Sequence, residues 1–195
     1  MKSRIVLALA ALLALCAPAR AQQTTALRGA EVRNREAYDF SLIDQAGRPF
    51  QLSSQRGREV VLVFGYTHCP DVCPATLARL ASILHRLPSS QQDRVRVAFV
   101  TVDPARDRPV VLERFVRLFD PRFIGLTGSD AQLEPVYDAY LVSHERVPDN
   151  AGASDYEVAH STLLYFIDPD GRLRVLHDRR DKDPDISHDI AALLS

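Results

Sequence analysis

The pattern of apolar and polar positions predicts strands in the first half of the chain. Short apolar runs at residues 40–43 and 49–52 flank the turn-forming residues 44–48, which is typical of a β-hairpin. Residues 60–64 (VVLVF) are apolar throughout, as expected of a strand covered on both faces of a sheet. A further strand is predicted at residues 95–102.

Helical spacing of apolar residues predicts three helices, the first of them between the strands at residues 60–64 and 95–102. The first is expected at residues 75–87, with Pro74 suited to its first turn, and Asp107 is expected to cap the second. The apolar stripes are Leu77, Leu80, Ala81 and Leu84 in the first helix, Val111, Phe115, Leu118 and Phe119 in the second, and Leu133, Val136, Tyr137, Tyr140 and Leu141 in the third.

The last third of the chain has a different order of elements. A strand at residues 162–167, a turn at 168–171 (DPDG) and a strand at 172–176 predict a second hairpin, followed by a helix at 185–194. The polar residues 146–159 are predicted to form a surface loop. Together these elements predict an α/β domain with a mixed central sheet, helices on both faces and an N-terminal β-hairpin, the order of a thioredoxin-like domain.

The first 21 residues have the features of an export signal. Lys2 and Arg4 precede the apolar stretch 5–17, and residues 19–21 (ARA) offer small side chains at a cleavage site. The apolar stretch is shorter than the roughly 20 residues of a membrane span. We therefore predict that residues 1–21 are a signal peptide, although an uncleaved signal would act as an anchor.

Removal of this signal would leave residues 22–37 as an N-terminal extension and residues 38–195 as one domain. A lipidated Cys16 would be a second route to the membrane, but Leu15 stands where a lipoprotein signal has a small residue. The chain after cleavage would carry 21 basic and 25 acidic residues, and this net charge of −4 does not favour a nucleic acid partner.

Cys69 and Cys73 are the chemical centre of the sequence, at the point where a predicted strand passes into a helix. A spacing of four along a helical turn would put both side chains on one face, with Cα atoms about 6 Å apart. The sulfurs could then form a disulfide or bind one metal ion. A structural disulfide closing so short a loop would add little stability, and a helix N-terminus favours the thiolate that both disulfide exchange and metal binding require.

His160 is the expected third member of this site. In a thioredoxin-like fold the start of the late strand faces the turn that carries the cysteines. Oxidoreductases of this fold have a cis-proline at that strand start, whereas this chain has no proline between residues 149 and 168. Two thiolates and one imidazole suit Cu(I), and with a further ligand Cu(II), whereas structural zinc requires four protein ligands. The other histidines are expected to have surface or packing roles: His68, His85, His144, His177 and His188.

Three sequence runs resemble those of the SCO/SenC family of copper-binding, thioredoxin-like proteins. They are YTHCPDVCP at residues 66–74, VDPARD at 102–107, and HS at 160–161 followed by IDPDG at 167–171. The resemblance extends from about Tyr38 to the C-terminus. Peroxiredoxins share the fold, but Leu62 and Tyr66 stand where those proteins carry the proline and threonine that precede the reactive cysteine.

The resemblance implies that Cys69, Cys73 and His160 bind one copper ion, Cu(I) or Cu(II). It implies delivery of that copper to the dinuclear centre of cytochrome c oxidase subunit II at the periplasmic face of the inner membrane, and a capacity to reduce that subunit's cysteines. Another periplasmic copper chaperone and a thioredoxin-like reductant are further expected partners. Family members often have Asp before the histidine, whereas this chain has Ala159.

Two other functions remain open at this stage. One is a periplasmic thiol-disulfide oxidoreductase in which Cys69 attacks and Cys73 resolves, and the other is a copper or redox sensor. Asp103, Pro104 and Asp107 lie near the predicted site, and we favour structural roles for them, a turn and a helix cap, over a docking surface.

Overall fold

The structure is a computed structural model that describes residues 26–148 and 156–195. Its elements in chain order are β1 (Ala30–Glu36), β2 (Ser41–Asp44), β3 (Pro49–Gln51), a 3-10 turn (Leu52–Gln55), β4 (Glu59–Gly65), α1 (Val72–Arg86), α2 (Ser89–Gln92), β5 (Val95–Thr101), α3 (Pro109–Arg117), β6 (Ile124–Thr127), α4 (Asp130–Tyr140), β7 (His144–Pro148), β8 (Tyr156–His160), β9 (Leu164–Ile167), β10 (Arg172–His177) and α5 (Asp183–Leu193). The predicted signal at 1–21, with Cys16, lies outside the described residues.

Eight strands form one mixed sheet in the order β1-β10-β9-β4-β5-β6-β2-β3. β4, β5 and β6 are parallel neighbours, while β9 pairs with β4 in the antiparallel sense. The predicted mixed sheet and the N-terminal hairpin, formed by β2 and β3, are confirmed. Every residue of β4 is buried, as expected for a central strand. In the described part of the chain, no helix is both long and apolar enough to cross a membrane.

The second predicted helix differs from the structure at both ends. Arg108 occupies the N-cap position of α3, and Asp107 is instead fully buried among polar groups, so the predicted cap is wrong. Leu118 lies after the last residue of α3 and is 77% exposed. Two neighbouring rows of this helix carry apolar residues, the predicted row of Val111 and Phe115 and the row of Leu112 and Val116. The second row is the fully buried one, so periodicity alone did not identify the inward face.

Leu141 is likewise wrong as a member of the third helix's stripe. It follows α4 with a left-handed φ of 54° and is 77% exposed, while the four other predicted positions are buried. A residue in this conformation at the C-terminal end stops a helix because it cannot continue the right-handed backbone.

The predicted surface loop at residues 146–159 is wrong wherever the structure describes it. β7 and β8 form a separate two-stranded antiparallel sheet, in which His144 pairs with His160 and Pro148 with Tyr156. Most of their side chains are polar or exposed, so the segment lacks the apolar run that identifies a strand. We call this two-stranded sheet the arm. It carries His160 at its end.

Candidate metal centre

Cys69 and Cys73 lie at the junction between β4 and α1. Cys69 belongs to the turn before the helix, where its backbone N–H donates to the Tyr66 carbonyl at 3.2 Å, so the expectation that both cysteines share one helical turn is wrong. The two sulfurs nevertheless lie within 4.8 Å of each other, and the Cys73 backbone N–H donates to Cys69 Sγ at 3.4 Å. Cys69 thus satisfies one of the unpaired N–H groups at the start of α1.

The two cysteines have opposite acid–base character. A hydrogen bond from the Cys73 thiol, with further ones from the backbone N–H groups of Cys73 and Asp71, outweighs burial and lowers the pKa of Cys69 to about 3. The same thiol–thiolate hydrogen bond, together with burial, raises the pKa of Cys73. The metal-free pair therefore contains one thiolate and one thiol at neutral pH.

His160 completes a three-donor cluster with the cysteines. Its Nε2 lies 3.5 Å from Cys73 Sγ, and the three donor atoms all lie within 4.8 Å of one another. His160 Nδ1 lies 2.8 Å from the Ser161 carbonyl oxygen, which can only accept a hydrogen bond. Nδ1 must therefore carry the proton, and the lone pair of the neutral ring lies on Nε2, on the side of the sulfurs.

Gly65 is a residue of this site that the sequence analysis missed. A Cβ atom there would lie 2.6 Å from Cys73 Sγ and 2.8 Å from Phe99 Cε2, so only glycine lets the sulfur approach the end of β4. The available signal for this residue was its position: Gly65 directly follows the apolar run at residues 60–64 and precedes the cysteine motif.

Asp107 holds residues 67–71, the segment before α1 that we call the cysteine turn, through hydrogen bonds. Its carboxylate accepts hydrogen bonds from the Thr67 backbone N–H at 3.0 Å, the Thr67 hydroxyl at 2.5 Å and the Thr101 hydroxyl at 2.7 Å. Burial raises the pKa of Asp107 despite these hydrogen bonds. The role of Asp107 is thus structural, as favoured from the sequence, but its contacts lie in the turn and β5 rather than at the start of α3.

The cluster opens to solvent through a groove between the cysteine turn and the arm. Residues on its two walls include Tyr66, Cys69 and Pro70 on one side and Glu157, Val158 and His160 on the other. Cys73 is 2% exposed and lies behind Cys69, which is 9% exposed. Of the two cysteines, only Cys69 therefore lines this groove.

None of the remaining histidines belongs to the three-donor cluster. His144 faces Glu134, His85 faces Asp120, His188 contacts Asp189, His177 lies between Asp181 and Asp189, and His68 contacts the Thr67 hydroxyl. Within the described residues, Cys69, Cys73 and His160 are the only group of three or more His, Cys, Asp or Glu side chains close enough to hold one ion.

Comparisons with known proteins agree with this geometry. The family model described as SCO1/SenC matches residues 28–195. The SCO2-like protein RP587 of Rickettsia prowazekii is 40% identical over 133 residues, which are 68% of this chain and 64% of that protein. The mitochondrial SCO2 homolog of Mus musculus is 40% identical over 151 residues, 77% of this chain and 58% of that protein. The chain thus spans about three fifths of the length of these curated relatives.

A solved structure shows the same fold. Bradyrhizobium japonicum ScoI, determined with copper bound, matches with a TM-score of 0.74 and 33% sequence identity. The match covers 82% of this chain and 99% of that one.

Proposed function

Because the chain belongs to the SCO1/SenC family, we propose that it is an exported copper-delivery protein. It binds one copper ion through Cys69, Cys73 and His160 and passes it to the dinuclear copper centre of cytochrome c oxidase subunit II. The observation that carries the proposal is the convergence of two sulfurs and one imidazole nitrogen within 4.8 Å, at the end of an open groove.

The donor atoms suit copper as the cargo. Thiolates are soft ligands that select Cu(I), and an imidazole nitrogen is compatible with both copper valences. Metal–sulfur and metal–nitrogen bonds of about 2.3 and about 2.0 Å place donor atoms about 4 Å apart, close to the spacing observed here. Cys69 is already a thiolate, so only Cys73 must lose a proton when the ion binds.

The cellular setting follows from the same proposal. Residues 1–21 would direct the chain across the inner membrane, and the domain at 38–195 would work in the periplasm or at the periplasmic face of that membrane. Another periplasmic copper chaperone would supply the ion, and a thioredoxin-like reductant would keep Cys69 and Cys73 reduced, because oxidation to a disulfide removes both thiolates.

An anaerobic Cu(I) titration against a strong chelator tests the binding step. We expect one tightly bound Cu(I) per reduced chain, lost in Cys69→Ala and weakened more than about 100-fold in His160→Ala, with free thiols counted in the same samples. The delivery step is tested by mixing the loaded protein with the metal-free copper domain of subunit II and following copper in both after separation. A chain that binds no copper, or retains it in the presence of that domain, would contradict the proposal.

A second function is favoured by the asymmetry of the cysteines. Cys69 is a thiolate that lines the groove, and Cys73 is a buried thiol in contact with it, as a disulfide reductase requires. The Cys69 thiolate would attack a partner disulfide and release one partner thiolate. Cys73, after losing its proton, would attack Cys69 and release the second, so two electrons pass to the partner and a thiol reductant must restore the pair.

A further inference from the structure

Arg106 lies between two tyrosines that belong to different parts of the site. Its guanidinium carbon is 3.7 Å from the ring centroid of Tyr156 in the arm and 5.6 Å from that of Tyr66, which precedes the cysteine turn. A guanidinium against aromatic faces is a favourable cation–π contact, and partial burial strengthens it. Arg106 therefore contacts both segments that carry the metal-ligating side chains.

Hydrogen bonds hold the guanidinium in this place. Nη1 donates to the Tyr156 carbonyl at 3.0 Å, and Nε donates to the carboxylate of Asp103. The Tyr156 hydroxyl donates to the same carboxylate at 2.7 Å, so Asp103, Arg106 and Tyr156 form a closed triangle. Asp103 is fully buried and the Arg106 side chain is 19% exposed, so these charged hydrogen bonds are poorly screened by water.

Tyr66 contacts the proposed ligands directly, and Tyr156 is connected to His160 through β8. The Tyr66 carbonyl accepts the hydrogen bond that begins the cysteine turn, and its ring meets the His160 ring edge-on at 5.7 Å between centroids. Tyr156 begins β8, the strand that ends at His160. The arm pairs with no strand of the eight-stranded sheet, so side chains must fix its position.

We propose that Arg106 is a positioning residue that sets the distance between His160 and the two cysteines. This inference rests on the proposed function, because it concerns how the copper ligands are brought together. Only arginine fits the role: its planar group stacks on Tyr156 while donating in two directions, to Asp103 and to the arm's backbone. A lysine ammonium has the charge without that planar, two-directional geometry.

The test is a double-mutant cycle of Cu(I) affinity, measured by chelator competition on the full reduced chain. Arg106→Lys should lower the affinity about 10-fold, within the range expected for residues that orient metal ligands. If Arg106 acts through His160, the same substitution in a His160→Ala background should change the affinity less than about 2-fold. Arg108→Ala, in the same segment and exposed, is the matched control and should leave the affinity unchanged.

Each other outcome contradicts the inference in a distinguishable way. Equal copper affinity of Arg106→Lys and wild type would overturn the positioning role while leaving the proposed function intact. An equal loss in both backgrounds would mean general destabilisation, and would also overturn it. A wild-type chain that binds no copper would overturn the proposed function and this inference together. Tyr156→Phe, which keeps the ring and removes only the hydroxyl, should give a smaller loss of the same kind, even if Arg106→Lys fails to fold.

Discussion

His144 and His160 lie directly opposite each other in the pairing of β7 with β8, yet only His160 contacts a cysteine. His144 Nε2 lies 3.6 Å from a Glu134 carboxylate oxygen, and its ring packs on Tyr137 with 4.4 Å between centroids. The arm thus presents two neighbouring imidazoles with different partners, which provides a matched pair of substitutions.

His160→Ala should weaken Cu(I) binding more than about 100-fold, above the loss expected for a residue that only supports a ligand. His144→Ala should change the affinity less than about 2-fold, because its nitrogen faces Glu134 rather than the sulfurs. Chelator competition on both variants measures the difference. Equal losses would show that the metal site includes His144 or that the arm itself is disrupted.

Cys69 should react with iodoacetamide before Cys73 in the reduced, metal-free protein, at a rate that is nearly constant from about pH 5 to about pH 8. The pKa of Cys69 is lowered to about 3, so its thiolate fraction does not change over this range. Peptide mass spectrometry at several pH values measures the rate. The urea-unfolded protein is the control, since the reaction rate of its cysteines should increase about tenfold for each unit by which the pH rises. The same increase of rate with pH in the folded protein would contradict the prediction.

Gly65→Ala should destabilise the protein by about 2 kcal/mol, as overpacking does, and should weaken copper binding because Cys73 Sγ must move away from the new Cβ atom. Gly57→Ala is the control. Gly57 has a φ of +86° and open space where an alanine Cβ would lie. Alanine there should therefore lower the free energy of unfolding by about 1 kcal/mol through backbone strain and leave copper affinity unchanged. Thermal unfolding and Cu(I) competition separate the two effects.

Asp189 should anchor the start of β1 to α5. Its fully buried carboxylate accepts hydrogen bonds from the backbone N–H groups of Arg28 and Gly29, both at 2.9 Å, and contacts His177 and His188. Asp189→Ala should therefore cost about 3 kcal/mol of unfolding free energy, since buried donors lose their charged acceptor. Urea unfolding at neutral pH measures this cost.

The pH dependence of the Asp189 contribution has a defined sign. Burial opposes ionisation, but hydrogen bonds from His188, Gly29 and Arg28 outweigh it and lower the pKa of Asp189 below the ordinary value of 3.8. The stabilisation is therefore complete above that ordinary value and is lost as the pH falls through the lower folded value. Asp185→Ala, which removes a partly exposed ion pair with Arg28 and one acidic residue of the first turn of α5, should cost about 1 kcal/mol; an equal cost for both variants would contradict the anchor.

The central part of the fold was predictable from the sequence because burial on both faces leaves an uninterrupted apolar run. β4 has such a run at residues 60–64 and β5 at residues 97–100, and so their place in a mixed sheet followed. β1 was not predicted, since an edge strand carries charged residues on exposed positions. The arm was not predicted for a similar reason: one face of each strand is in water.

The site was predictable only as far as local spacing reaches. Cys69 and Cys73 are close in sequence, and the fold analogy led to His160. Asp107 contacts Thr67 across 40 residues, and Arg106 contacts Tyr156 across 50. No periodicity encodes such pairs, because they depend on how the strands are arranged in the sheet.

The unequal burial of Cys69 and Cys73 sets an order for the proposed ligand exchange. Cys69 lines the groove, whereas Cys73 lies against the end of β4. A thiolate that enters by the groove would reach the ion beside Cys69 and His160, so the bond to Cys73 would be the last to break. The ion would then stay attached to the protein interior until the acceptor holds it, which would protect it from loss to solvent during transfer.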